Sequence, residues 1–236
     1  MRLAALRQRN SLILHDADSL CDAPGTHQIH PDLFTADYWR ERGLIVGEAP
    51  GRGSSLFLQA TPTEQWVLRP YRRGGLIAKM SEKRYVWTGV ERTRAFRELR
   101  LTATLFEQGL PVPKPVACRV VRFGLTYEAA LITVRVPGAT ALAERVVNHA
   151  ADDALLQRVG AMIKRFHDAG LDHVDLNARN ILIAPSGEPW LIDLDRCRLR
   201  QPGNKWQNKN LARLERSLIK FKSQDQYLSI LRGYTH

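Results

Sequence analysis

The sequence predicts an α+β chain in two lobes, a strand-rich small lobe over residues 31–135 and a helix-rich large lobe over residues 136–236. Three observations carry that prediction. Five short apolar runs, bounded by glycine, proline and polar turns, fill the first lobe and read as strands. A single helix-period segment, Glu91–Phe106, interrupts them. The second lobe opens on a longer amphipathic helix, Asp152–Ala169, which delivers the chain to a polar loop and a hairpin.

Residues 1–30 show no clear periodicity and read as an N-terminal arm, broken at Pro24-Gly25. A short helix starts near Pro31, takes in Leu33, Phe34, Tyr38 and Trp39, and stops at Gly43. Leu44-Ile45-Val46 is the first strand and Leu56-Phe57-Leu58 the second. The glycine-rich turn between them contains Gly51 and Gly53. Glycine lets backbone N–H groups approach phosphate oxygens, although a plain hairpin turn has the same composition. Trp66-Val67-Leu68-Arg69 is the third strand. In the Glu91–Phe106 helix, Ala95, Leu99, Ala103 and Phe106 recur at helical spacing, Glu98 sits mid-helix, and Gly109 ends it. Pro111–Pro115 is an extended connector, followed by strands over Val116–Val121 and Tyr127–Val134.

In the second lobe, Asp152 caps a helix whose buried stripe is Leu155, Val159, Met162 and Phe166, and Gly170 terminates it. His167 reads as a packing or capping residue. The polar loop is His173-Val174-Asp175-Leu176-Asn177-Ala178-Arg179-Asn180. Ile181-Leu182-Ile183 and Trp190-Leu191-Ile192, turning at Pro185-Ser186-Gly187, form a hairpin that ends at Asp193. A final helix places Leu211, Leu214, Leu218 and Phe221 on one face, with Arg213, Arg216, Lys220 and Lys222 elsewhere.

The net charge of +11 points to an acidic partner: nucleic acid, anionic lipid or a phosphorylated substrate. The charge is concentrated, since residues 69–94 hold eight Lys/Arg against two Glu, with Tyr71, Tyr85 and Trp87 among them. Cys21, Cys118 and Cys197 are far apart and form no CxxC pair, which excludes a zinc-ribbon or disulfide framework. No run reaches the length of a membrane span. The expected location is therefore cytosolic, or peripheral on the cytosolic face of a membrane.

His173-Val174-Asp175-Leu176 and Asn180 match the HxDLxxxN catalytic loop of the protein-kinase superfamily, and Asp193 falls where that superfamily has its metal-binding DFG aspartate. The resemblance narrows further, to the lipopolysaccharide sugar kinases and within them the Kdo kinases (Kdo being 3-deoxy-D-manno-octulosonic acid). It is carried by Trp66–Leu76, Arg84-Tyr85-Val86-Trp87-Thr88-Gly89, Glu98-Leu99-Arg100-Leu101, Gly109–Pro113 and Ile192-Asp193-Leu194-Asp195-Arg196. It implies a two-lobed protein-kinase-like fold with ATP and Mg²⁺ between the lobes, and phosphorylation of a hydroxyl of Kdo on a lipid A precursor. It implies Asp175 as the base, Asn180 and Asp193 as metal ligands, and Glu98 paired with a phosphate-binding cation. That cation is open at this point: Arg69 stands where kinases have lysine, and Lys79 is the second candidate.

Kdo carries a carboxylate and lipid A carries phosphates, which suits the basic charge. An anionic membrane surface is the expected second partner, through Arg72, Arg73, Lys83 and Arg84 and through Lys209, Arg213 and Lys220. The basic-aromatic composition also suits RNA, but no nucleic-acid module accompanies it, so no nucleic-acid partner is expected. A heptose kinase and a catalytically silent kinase-like binding module are the alternatives. Asp195 stands where DFG has glycine, and no APE motif follows, which favours a small or lipid-linked acceptor over a protein substrate.

Overall fold

A computed structural model describes residues 1–20, 27–49, 55–71 and 84–235. It divides into two compact units, Met1–Ala103 with Lys114–Arg135, and Thr104–Pro113 with Val136–His236.

The first unit is built on one antiparallel sheet. Its strands are β1 (Leu3–Gln8), β2 (Ser11–Asp16), β3 (Ile45–Glu48), β4 (Leu56–Gln59), β5 (Gln65–Pro70), β6 (Tyr85–Val86), β7 (Pro115–Phe123) and β8 (Thr126–Val134). The order is β1-β2-β7-β8-β5-β4-β3, with β6 on the end of β8. The sheet is covered on both faces. Trp39, of helix α1 (Ala36–Arg40), packs with Ile13, Leu58, Trp66, Leu68 and Ile132 on one side. Ala95, Phe96 and Leu99, of helix α2 (Arg94–Glu107), pack with Leu14, Tyr71, Cys118, Val120, Tyr127 and Leu131 on the other. Strand alternation sorts β5 between the two cores: Trp66 and Leu68 point one way, Tyr71 the other.

Residues 1–30, read from sequence as an arm, require correction. Their first half is a hairpin, β1 paired with β2, and β2 continues the sheet against β7. The periodicity is missing because β2 is buried on both faces, Ile13 entering one core and Leu14 the other. A strand enclosed on both sides reads as an apolar run without alternation.

The second unit holds a three-stranded sheet, β12-β11-β9, formed by β9 (Thr140–Ala141), β11 (Ile181–Ile183) and β12 (Pro189–Leu191), and a two-stranded one, β10 (Leu171–Asp172) with β13 (Arg198–Leu199). Its helices are α3 (Leu142–Val147), α4 (Asp153–Asp168), α5 (Asn204–Lys220) and α6 (Gln226–Thr235). The Asp152 carboxylate accepts from Leu155 N at 2.7 Å and so starts α4. Gly170 ends it at φ +84°, a backbone region that side chains disfavour. A Cβ there would also run into the Arg200 carbonyl. Helix α6 seats on α4 through glycines: a Cβ on Gly160 would overlap the Ile230 carbonyl oxygen, and one on Gly233 the Gln157 carbonyl oxygen.

Candidate functional site

The loop between β10 and β11 is fixed from several sides. Leu176 and Ala178 are buried and act as plugs. His173 N donates to Asn210 Oδ1 at 2.9 Å, and Ala178 N to Ser217 Oγ at 3.1 Å, so α5 holds the loop at both ends. The His173 ring is buried, with Nε2 3.1 Å from the Ile192 carbonyl oxygen. A carbonyl only accepts, so Nε2 carries the proton and the imidazole ties the loop to the strand end preceding Asp193. Burial lowers the His173 pKa, against the opposing pull of that hydrogen bond and of Asp193 and Asp175. The neutral ring is therefore favoured.

Asp175 sits at the turn with its side chain about half exposed. Its backbone carbonyl accepts from Asn177 Nδ2 at 2.8 Å and Asn180 Nδ2 at 3.0 Å. The second bond sets the Asn180 amide: nitrogen is committed to the loop and Oδ1 remains an available oxygen donor. Hairpin register does the rest. Ile181 pairs with Leu191, and Ile192 N donates to Asn180 O at 3.0 Å, so Asp193 follows the residue opposite Asn180. Asp193 has φ +62°, a strained conformation for a residue with a side chain and one that recurs at functional sites. One carboxylate and one amide oxygen suit Mg²⁺, which keeps waters and phosphate oxygens for its remaining positions. The described residues hold no cluster of three His, Cys, Asp or Glu side chains of the kind a transition metal uses.

In the first unit, Arg69 and Glu98 are brought together. The Glu98 side chain is 3% exposed. One of its carboxylate oxygens accepts from Arg69 Nη2, the other from the Tyr71 hydroxyl. Strand alternation puts Arg69 and Tyr71 on the same side of β5, facing α2. Burial, reinforced by Glu98, pushes the Tyr71 pKa well above its usual value, so its hydroxyl stays a donor. A buried carboxylate held by a guanidinium and a phenol is thus satisfied on both oxygens.

A family comparison decides which proteins the chain belongs with. Residues 36–234 match the model of the lipopolysaccharide kinase (Kdo/WaaP) family. The chain belongs to that family. A protein of Xylella fastidiosa (strain M12) named 3-deoxy-D-manno-octulosonic acid kinase is 44% identical over 215 residues, spanning 91% of this chain and 85% of its own. Proteins of the same name are 45% identical in Stenotrophomonas maltophilia (strain R551-3), again over 91% and 85%, and 45% identical in Xanthomonas campestris pv. campestris (strain B100), over 86% and 80%. Among solved structures, WaaP in complex with acyl carrier protein superposes with a TM-score of 0.54 at 19% identity, covering 82% of this chain and 80% of its own. That likeness establishes the kinase-like fold.

For this member of the Kdo/WaaP family, Asp175, Asn180 and Asp193 lie in the second unit and Arg69 and Glu98 in the first. Gly51, Gly53 and Lys79 lie outside the described residues, as do Arg72, Arg73 and Lys83. Sequence reasoning named Tyr71 only among the aromatics of the basic segment and missed its bond to Glu98, for which the spacing of two from Arg69 on a strand was the available signal. It named Arg213 only for an anionic membrane surface and missed its contact with Asp175, to whose Oδ1 Arg213 Nη1 donates at 2.9 Å. Arg198 reaches Asp172 at 3.4 Å, beside Arg200 at 3.0 Å.

Proposed function

We propose that this chain transfers the γ-phosphoryl group of ATP to a hydroxyl of Kdo on a lipid A precursor, during assembly of the lipopolysaccharide core. The observation that carries it is 43–45% identity over most of the chain to proteins named 3-deoxy-D-manno-octulosonic acid kinase, with a loop whose geometry supplies a base and two oxygen donors.

Asp175 orients the acceptor hydroxyl and takes its proton as the oxygen attacks the γ-phosphorus, while the bond to the ADP oxygen breaks. Asn180 Oδ1 and the Asp193 carboxylate hold Mg²⁺, which when bound neutralises charge on the phosphates. Arg69, fixed by Glu98 and Tyr71, is the phosphate-binding cation. Its planar fork grips phosphate through two donors where a lysine acts as a point charge. Lys79 is the second candidate for that role, and Gly51 and Gly53 supply backbone amides to the phosphates. His173 holds the loop and takes no part in proton transfer.

The acceptor is anchored in a bilayer, so the protein works on the cytoplasmic face of the inner membrane as a peripheral protein. No helix among the described residues is long and apolar enough to cross a membrane. Basic side chains near an anionic surface contribute about 1 kcal/mol each. The test is incubation with labelled ATP and a Kdo-bearing lipid A precursor, with the phosphate located by mass spectrometry. Phosphate on Kdo supports the reading. Phosphate on a heptose acceptor only, or none on any acceptor, overturns it.

A further inference from the structure

Helix α5 carries a cationic stripe to which the phosphoryl-transfer steps above assign no role. Lys205, Lys209, Arg213 and Arg216 follow at intervals of four, four and three residues and share one exposed face. Trp206, Asn210, Leu211, Leu214 and Leu218 form the buried side. With Arg198 and Arg200, the stripe lines a concavity of about 510 Å³ in which Asp172 is the one carboxylate.

That carboxylate is already engaged, by Arg200, by Arg198 and by Asn210 Nδ2 at 3.1 Å. Burial pushes its pKa up, and these hydrogen bonds more than reverse the shift, leaving it below the usual value. Asp172 thereby fixes two guanidiniums without exhausting their donors, since each has five. Lys205, Lys209 and Arg216 make no ion pair among the described residues. A second concavity of about 360 Å³ contains Asp175 and shares Arg213 and Arg216 with the first. Arg213 thus belongs to both, with Nη1 on Asp175.

Cations gathered in a concavity repel one another until an anion fills it. Length and shape select the anion. From Lys205 to Arg216 the helix rises about 16 Å, more than one carboxylate or phosphate can span. A concave wall suits separated anions on one compact headgroup better than the plane of a bilayer.

We propose that this groove seats the anionic headgroup of the acceptor. Arg213 and Arg216 take the sugar carboxylate next to Asp175, and Lys205 and Lys209 take a phosphate farther along the helix. The proposal rests on the reading of the chain as a Kdo kinase and names the part of it that recognises the acceptor. Arg213 is then the link between recognition and chemistry: one donor orients the base while the others grip the sugar that bears the attacking hydroxyl. A neutral sugar offers no anion to Arg216 or to the remaining donors of Arg213, which discriminates against it.

The test uses the full chain and the soluble, deacylated headgroup of a Kdo-bearing lipid A precursor, titrated by calorimetry without ATP. Lys205→Gln with Lys209→Gln weakens headgroup binding about tenfold or more, as expected for lost charge-assisted bonds, with the KM for ATP at its wild-type value. Arg213→Gln raises the acceptor KM and lowers kcat as well, and Arg213→Lys recovers part of the loss. Equal headgroup binding by wild type and the double variant overturns the proposal. So does a double variant that loses only its binding to phosphatidylglycerol vesicles, or one in which the KM for ATP rises instead. A wild type that binds the headgroup but never phosphorylates it refutes the kinase reading and supports the groove.

Discussion

Removing the Glu98 carboxylate tests the small-lobe cluster in both stability and nucleotide binding. The side chain is 3% exposed and receives hydrogen bonds from Arg69 and Tyr71. Glu98→Ala takes the Glu98 carboxylate away from a guanidinium, itself 26% exposed, and from the hydroxyl of a buried phenol. Breaking a buried pair by deleting one partner costs about 3–5 kcal/mol. The exposed part of Arg69 recovers some hydration, so the lower end of that range is expected. Glu98→Gln keeps the shape and an acceptor oxygen, and its cost should fall to about 1–3 kcal/mol. Urea denaturation of the two variants reads these values, provided the slope stays at the wild-type figure. The KM for ATP should rise in both, because Arg69 loses the group that aims it. Two variants with wild-type midpoints and wild-type KM would refute the argument that Glu98 positions Arg69.

Asp193→Ala should raise the Mg²⁺ concentration needed for half-maximal transfer, since a hard cation loses an anionic ligand; an unaltered Mg²⁺ dependence would remove Asp193 from the metal site. His167, buried against Trp206 and Tyr234, has its pKa pushed down to about 4 from 6.5 by burial. The unfolded chain takes up that proton first, so stability is full above about pH 6.5 and is lost as pH falls toward 4, by roughly 2 kcal/mol between pH 7 and 5. Denaturation at those two pH values, repeated with His167→Gln, should show the slope shrink in the variant. Gly160→Ala should cost about 1–3 kcal/mol, because the added methyl meets the Ile230 carbonyl and the Tyr234 nitrogen of α6; a wild-type midpoint would show that α6 can move aside at no cost.

The elements that bear the candidate site were largely legible. Strands β3, β4, β5, β7 and β8 read as separate apolar runs between turn residues. Helix α4 announced itself through the Asp152 cap and an apolar stripe, and the hairpin through its central turn. Loop and hairpin together located Asp175, Asn180 and Asp193, because their spacing is set by local chain geometry. Contacts made only by tertiary packing were not legible. β1 and β2 lack alternation because β2 lies between two cores. α6 has an apolar stripe, Tyr227, Ile230, Leu231 and Tyr234, but its close seating on α4 through Gly160 and Gly233 depends on packing and was not legible. Arg213 has the spacing of a solvated helix face, and only the packing of α5 under the loop turns it toward Asp175.

The central claim is that Asp175 is the base for phosphoryl transfer to Kdo, and one comparison tests it most directly. Wild type and Asp175→Asn are given labelled ATP and a Kdo-bearing lipid A precursor in a single-turnover assay, with ATP binding measured in parallel. The account predicts label on Kdo, wild-type ATP affinity in the variant, and a rate lower by about 10²–10⁴-fold, the usual effect of losing a positioned base. An Asp175→Asn rate equal to wild type would contradict it.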